Sequence, residues 1–136
     1  MSTKELELSP AIAGAYLTKG TIGNVGTPGA PIVHFSLVVV PSKNTVSGTV
    51  EITQAIEGGN ITIENVKGTI RATGFGKITK IVSLEGEYFQ SFPPPAIGIM
   101  EQKFFAHMDI DDSWNGQGGF SYGGQKINNV PVKSEN

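Results

Sequence analysis

At 136 residues the chain is long enough to bury one sizeable core, and its formal charge of -2 leaves no basic field for nucleic acid. There is no cysteine, which sets aside a disulfide scaffold, a thiol nucleophile and cysteine metal sites. The 18 glycines and 8 prolines, with abundant Thr, Ile and Val, are the composition of many short strands joined by tight turns. No apolar run approaches the roughly 20 residues of a membrane helix, and no basic amphipathic helix suits a membrane surface.

In chain order, residues 1–10 are polar and read as a loose arm before a single β domain over 11–133. MSTKELELSP lacks the apolar core of a signal peptide, so the expectation is cytoplasmic residence or a non-classical route of export. Residues 11–22 read as a strand, because Gly14 and Gly20 break a helical reading of the alanines. Residues 23–30, GNVGTPGA, are a loop with no G-x-G-x-x-G phosphate signature.

Pro28 to Ala55 is the strongest β signal. Ile32 to Val40 is a run of Ile, Val, Phe and Leu bounded by Pro31 and Pro41, which confine it to strand length. Val46, Gly48, Val50 and Ile52 then alternate with Thr45, Ser47, Thr49 and Glu51, the period of a half-buried strand. The pair predicts an antiparallel hairpin. Apolar residues on both parities of 32–40 predict cover on both faces, either within the chain or from a second subunit in a homo-oligomer.

Past a turn at 57–60, Ile61 and Ile63 share one parity while Val66, Gly68 and Ile70 share the other. That phase change predicts a β-bulge near Asn65. Over 77–89 the inner positions are Ile78, Val82, Leu84 and Tyr88, with Lys80 and Ile81 as exceptions. SFPPPAIG, 91–98, predicts an extended crossover rather than a paired strand. Phe104, Ala106, Met108 and Ile110 alternate with Phe105, His107 and Asp109, and after a turn at 111–116 two short strands, 118–122 and 127–132, precede a frayed tail at 134–136. About eight strands with short connections predict an all-β fold: an antiparallel barrel or closed β-sandwich, with an open Greek-key sandwich as the alternative.

Chemistry-bearing residues are few. His34, inside an apolar strand, reads as a structural histidine. His107 and Asp109 at i, i+2 on one strand face, with Asp111 beyond, form the nearest approach to a metal-dependent site. Asp111, Ser113, Asn115 and Gly116 reproduce the first half of a calcium loop, but position 12 is Tyr122 rather than glutamate, so a hairpin turn competes with a calcium site. Trp114, Phe120 and Tyr122, with His107, are candidates for an aromatic ligand platform, against the alternative that the aromatics plug a core. No nucleophile motif or cofactor loop accompanies them, and Asn60-Ile61-Thr62 is a glycosylation sequon by spacing alone.

PGAPIVHFSLVVV (28–40), VSGTVEITQA (46–55), DDSWNGQGGFSY (111–122) and NNVPVK (128–133) together resemble the bacterial family catalogued as domain of unknown function 1842. The resembling motifs are the PGAP lead-in at Pro28 to Pro31, the strand at Val46 to Ala55, the acidic-Trp turn at Asp112 to Trp114 and the closing Val130 to Val132. The resemblance implies a compact bacterial β domain and carries over no catalytic residue. The functional expectation is a non-enzymatic binding or interaction module, alone or as a homo-oligomer, for an unspecified protein or small-molecule partner. The alternatives are a carbohydrate- or calcium-binding lectin-like domain and a metal-dependent barrel enzyme.

Overall fold

The computed structural model describes residues 14–54, 59–74, 76–91, 95 and 97–136. Eight strands follow in order: β1 (Tyr16–Ile22), β2 (Ile32–Val40), β3 (Thr45–Thr53), β4 (Ile61–Ala72), β5 (Lys80–Ser91), β6 (Ile99–Ile110), β7 (Gly116–Tyr122) and β8 (Gln125–Ser134). Each pairs antiparallel with its sequence neighbour, and β8 returns to β1, closing a barrel without a Greek-key crossover. Of the predicted architectures the barrel is therefore the one formed. The loose arm at 1–10 and parts of the turn at 57–60 and of the proline-rich segment lie outside the described residues.

Alternation sets what fills the interior. Val33, Phe35, Leu37 and Val39 of β2, Val82 and Leu84 of β5, and Phe104, Met108 and Ile110 of β6 are buried within one cluster. Glycines on the inner parity stand beside bulky residues: Gly48 opposite Leu37, Gly68 opposite Leu84, Gly86 opposite Phe104 and Gly118 opposite Met108. A small barrel has room for one large side chain per such pair, so alternating large and small residues lets the walls close without a void. The outer face carries exposed Lys67, Arg71, Glu85, Glu87 and Lys103 beside exposed apolar residues such as Leu17, Ile81 and Phe105. No helix among the described residues is long and apolar enough to cross a membrane.

The bulge predicted near Asn65 is present. Gly48 faces Val66 while Val50 faces Ile63, so β4 spends one extra residue, and Glu64 and Asn65 both point outward. A second bulge lies in β8, where Gly118 faces Val130 and Phe120 faces Ile127, with Asn129 in the left-handed region at φ 57°.

Within the chain only one face of β2 is covered: Val38 on its outer side is 39 % exposed beside Leu17, which is 74 % exposed. Lys80, on the inner parity, sits at the start of β5 and reaches out of the barrel end to Asp112, Nζ to Oδ1 2.7 Å. The last residues lie along β1 and bond to it. Ser134 belongs to β8, Glu135 N donates to Lys19 O (2.8 Å), Lys19 N donates to Asn136 Oδ1 (2.9 Å), and Asn136 Nδ2 donates to Thr18 Oγ1 (3.0 Å). β8 pairs with β1 only at Gly20 to Ile22, so the tail satisfies backbone groups of β1 that β8 leaves unpaired.

Candidate functional site

The two ends of the barrel differ. At the end formed by the 41–44, 73–79 and 111–115 connections, Trp114 turns inward. It is 2 % exposed, lies against Phe35 with ring centroids 5.9 Å apart, and donates from Nε1 to Tyr16 Oη at 3.1 Å. Its backbone takes φ 65°, a conformation that lets a turn aim a bulky side chain back into the core. This end is sealed.

At the opposite end the described residues leave an opening. β4 pairs with β3 as far up as Ile61, and β5 pairs with β6 as far as Ser91, yet β4 and β5 pair with each other only from Lys67–Glu85 to Ala72–Lys80. At the base of the fork the strands still touch, since a Cβ on Gly86 would lie 2.9 Å from Ile63 Cγ2. Above it they part around a cleft of about 640 Å3, walled by Asn60 and by Ile61, Thr62, Glu64 and Asn65 of β4, by residues 87–91 of β5, by Gln54, and by Tyr122, Gly123 and Gln125 at the β7–β8 turn. The bulge at Glu64–Asn65 accounts for the parting: the extra residue strengthens the local twist, keeping β4 on β3 and turning it away from β5.

Side-chain hydrogen bonds hold the back wall of the cleft, and a tyrosine hydroxyl opens onto it. Tyr122 Oη donates to Gln54 Oε1 at 2.8 Å, and Gln54 Nε2 donates to Gly59 O at 2.9 Å, bridging the mouth from β7 to the end of β3. Tyr88 is 8 % exposed, and its hydroxyl lies where a Cβ on Gly123 would approach within 3.0 Å. That hydroxyl makes no hydrogen bond to another described residue, and no described buried side-chain polar atom lacks a partner, so it meets the open cleft. Burial pushes the Tyr88 phenol above its ordinary value, and burial together with the neighbouring Tyr88 does the same to Tyr122. Both phenols are therefore neutral donors at ordinary pH. On the rim, Glu87 is held below the usual carboxylate range by a hydrogen bond from Glu101 and by the Lys103 ammonium, 3.7 Å away. Glu101 is raised by the same contact.

The candidate residues read from the sequence do not form one site. Trp114 plugs the sealed end. Phe120 and Tyr122 stack inside the barrel, centroids 5.9 Å apart and both 3 % exposed, so the three aromatics form no shared outer platform. Only Tyr122 touches the cleft. His107 lies outside, in a shallow groove of about 390 Å3 with Ser83, Phe105 and Lys126, over the notch left by Gly119. No hydrogen bond joins it to Asp109, and no group of three His, Asp or Glu side chains disposed to hold a metal occurs among the described residues. In the acidic turn, Asp111 Oδ1 accepts from Ser113 N (2.8 Å) and Asn115 N (3.0 Å), while Asn115 Oδ1 accepts from Ser134 N (2.9 Å). These oxygens hold the turn and the last strand together. His34 Nε2 lies 3.1 Å from Thr53 Oγ1, a satisfied structural histidine. Sequence reasoning did not single out Tyr88, Gln54, Gln90 or Gln125. The available signal was that Tyr88 and Tyr122 are inward tyrosines near the same end of the barrel.

A filled eight-stranded antiparallel barrel with one sealed end and one polar, open end defines the class. The family model for a domain of unknown function (DUF1842) matches residues 13–126, and the chain belongs to that family. No curated protein matches the sequence.

Proposed function

We propose that this protein is a non-enzymatic binding module that receives a small ligand at the open mouth of the barrel. The observation that carries this reading is the β4–β5 fork, a cleft of about 640 Å3 beneath which the barrel stays closed and filled. Barrel mouths are common ligand sites, and this volume lies within the usual range for a small-molecule pocket. Its described residues bring together amides, hydroxyls and two carboxylates without an arrangement of nucleophile and oriented base among them, which favours binding over turnover.

The test is ligand-observed NMR with a chemically mixed library, run in parallel on the parent and on Thr62→Trp. Thr62 is exposed on the β4 wall, so the larger ring fills the cleft without entering the core. Hits that bind the parent and vanish with Thr62→Trp are expected. Hits that survive in the variant, or no hits at all, would remove the mouth as the site.

A further inference from the structure

The chemistry of the cleft wall narrows its ligand. Among the described residues of the wall there is no Lys, Arg or His, so a phosphate or carboxylate would find no countercharge there and would face Glu64 and Glu87 instead. An apolar ligand would bury amide and hydroxyl groups without partners, a cost of about 1–3 kcal/mol for each group left unsatisfied. Asn60, Asn65 and Gln125 each present both a donor and an acceptor, and Gln90, whose Oε1 accepts from Gln102 Nε2 at 3.0 Å, adds its amide donor, which matches a ligand whose own groups are both. Tyr88, a residue 8 % exposed, adds a hydroxyl that is unbonded within the described chain and open to the cleft. At the rim Phe89, 73 % exposed, offers an aromatic face to a ring with an apolar side. Glu87 is already engaged by Glu101 and Lys103, which weakens the case for a cation.

We infer that the ligand is an uncharged polyhydroxylated ring, a saccharide, hydrogen-bonded by Tyr88 and the amide side chains of the β4–β5 fork with one face against Phe89. This rests on the mouth being the binding site. A saccharide carries hydroxyls that donate and accept at once and a C–H face that packs on an aromatic ring, and the cleft volume admits one or two such rings. The sugar is either free or the end of a glycan chain, and both present the same chemistry.

The test is a 15N–1H NMR titration of the intact protein with methyl pyranosides of glucose, galactose, mannose and N-acetylglucosamine, with their disaccharides, and with spermidine and inorganic phosphate as charged controls. Immobilised oligosaccharides are screened beside them. At least one saccharide is expected to saturate with shifts confined to residues 60–65, 87–91 and 122–125. Tyr88→Phe is expected to weaken that binding about five- to tenfold, the loss of one hydrogen bond. Gln125→Ala, at an exposed position outside the core, is expected to weaken it severalfold with an unchanged melting temperature. Saturation by a single glycoside identifies a free sugar, and binding only to immobilised chains identifies a glycan end. Saccharide binding that neither variant weakens, or whose shifts fall around His107, overturns the inference. If spermidine or a hydroxyl-free compound moves the fork residues while no saccharide does, the saccharide inference falls and the ligand-binding reading stands. If no compound of any class moves them, both fall.

Discussion

Replacing Trp114 with phenylalanine tests whether that ring seals the barrel. The indole is 2 % exposed, packs on Phe35, and gives its N–H to Tyr16. A phenyl ring in its place leaves a void of roughly 40 Å3, which at ~24 cal/mol per Å3 costs about 1 kcal/mol, and loses about 1 kcal/mol of apolar transfer. The lost hydrogen bond adds about 1 kcal/mol. The total of about 2–3 kcal/mol corresponds to a fall of roughly 10 °C in melting temperature for a domain of this size. Tyr16→Phe leaves the packing and removes only the acceptor, so it should cost about 1 kcal/mol, and the double variant should show coupling of similar size. Urea unfolding followed by far-UV circular dichroism gives each value. Trp114 is the only tryptophan, so emission from parent and Tyr16→Phe reports on this end of the barrel directly. Native emission already at the wavelength of the unfolded chain, or a Trp114→Phe midpoint equal to the parent's, would refute the plug and return Trp114 to the surface.

Asp111→Ala should destabilise the fold by about 1 kcal/mol through loss of the turn's two backbone caps, equally with and without calcium. A calcium-dependent rise in melting temperature that Asp111→Ala abolishes would make the turn a cation site instead. The phenols of Tyr88 and Tyr122 have folded values above the ordinary value of 10.0, so the unfolded chain loses protons first. The stability they contribute is complete below about pH 10 and is lost as pH rises through the folded values, so Tyr88→Phe and Tyr122→Phe should each flatten the alkaline fall seen in urea midpoints between pH 9 and 11. Deleting Asn65 removes the extra residue of β4. Hydrogen exchange should then slow at residues 86–90 as the fork zips further, and exchange at the parent rate would show that the bulge does not hold it open.

The barrel was legible because its information is local. Val46 to Ile52 and Phe104 to Ile110 each declare an inner face by period 2, and the phase change between Ile63 and Val66 declares the bulge. The β8 bulge carries the same signal, since Ile127 and Val130 lie on opposite parities, but it hides inside an otherwise short strand. Trp114 stayed open between platform and plug because Asp-Asp-Ser-Trp-Asn-Gly is polar around a single apolar residue. Only the left-handed backbone at that residue shows that its side chain turns inward. The cleft was not legible. Its wall joins Gln54, Thr62, Asn65, Tyr88 and Gln125, and neutral hydrogen-bonding side chains have no spacing that marks them in a sequence. Their proximity follows from where two strands stop pairing, which is a property of register between distant segments.

That loss of pairing is also the one way this fold can hold a ligand without emptying its core. An eight-stranded barrel is just wide enough for its own side chains, and here Phe35, Phe104, Met108 and Ile110 fill it. A cavity at mid-height would remove contacts at a cost of several kcal/mol for each large side chain lost. Parting two strands at one rim costs only the ladder bonds between them, and their free backbone groups remain wet. The register confines the opening: β3–β4 stays paired to Ile61 and β5–β6 to Ser91, so each side of the fork is a two-stranded wall rather than a loose strand. The opening at one rim and the Trp114 seal at the other are thus complementary, because a barrel that gives up pairing at its mouth relies on the packing of its opposite end to keep the remaining ladders closed.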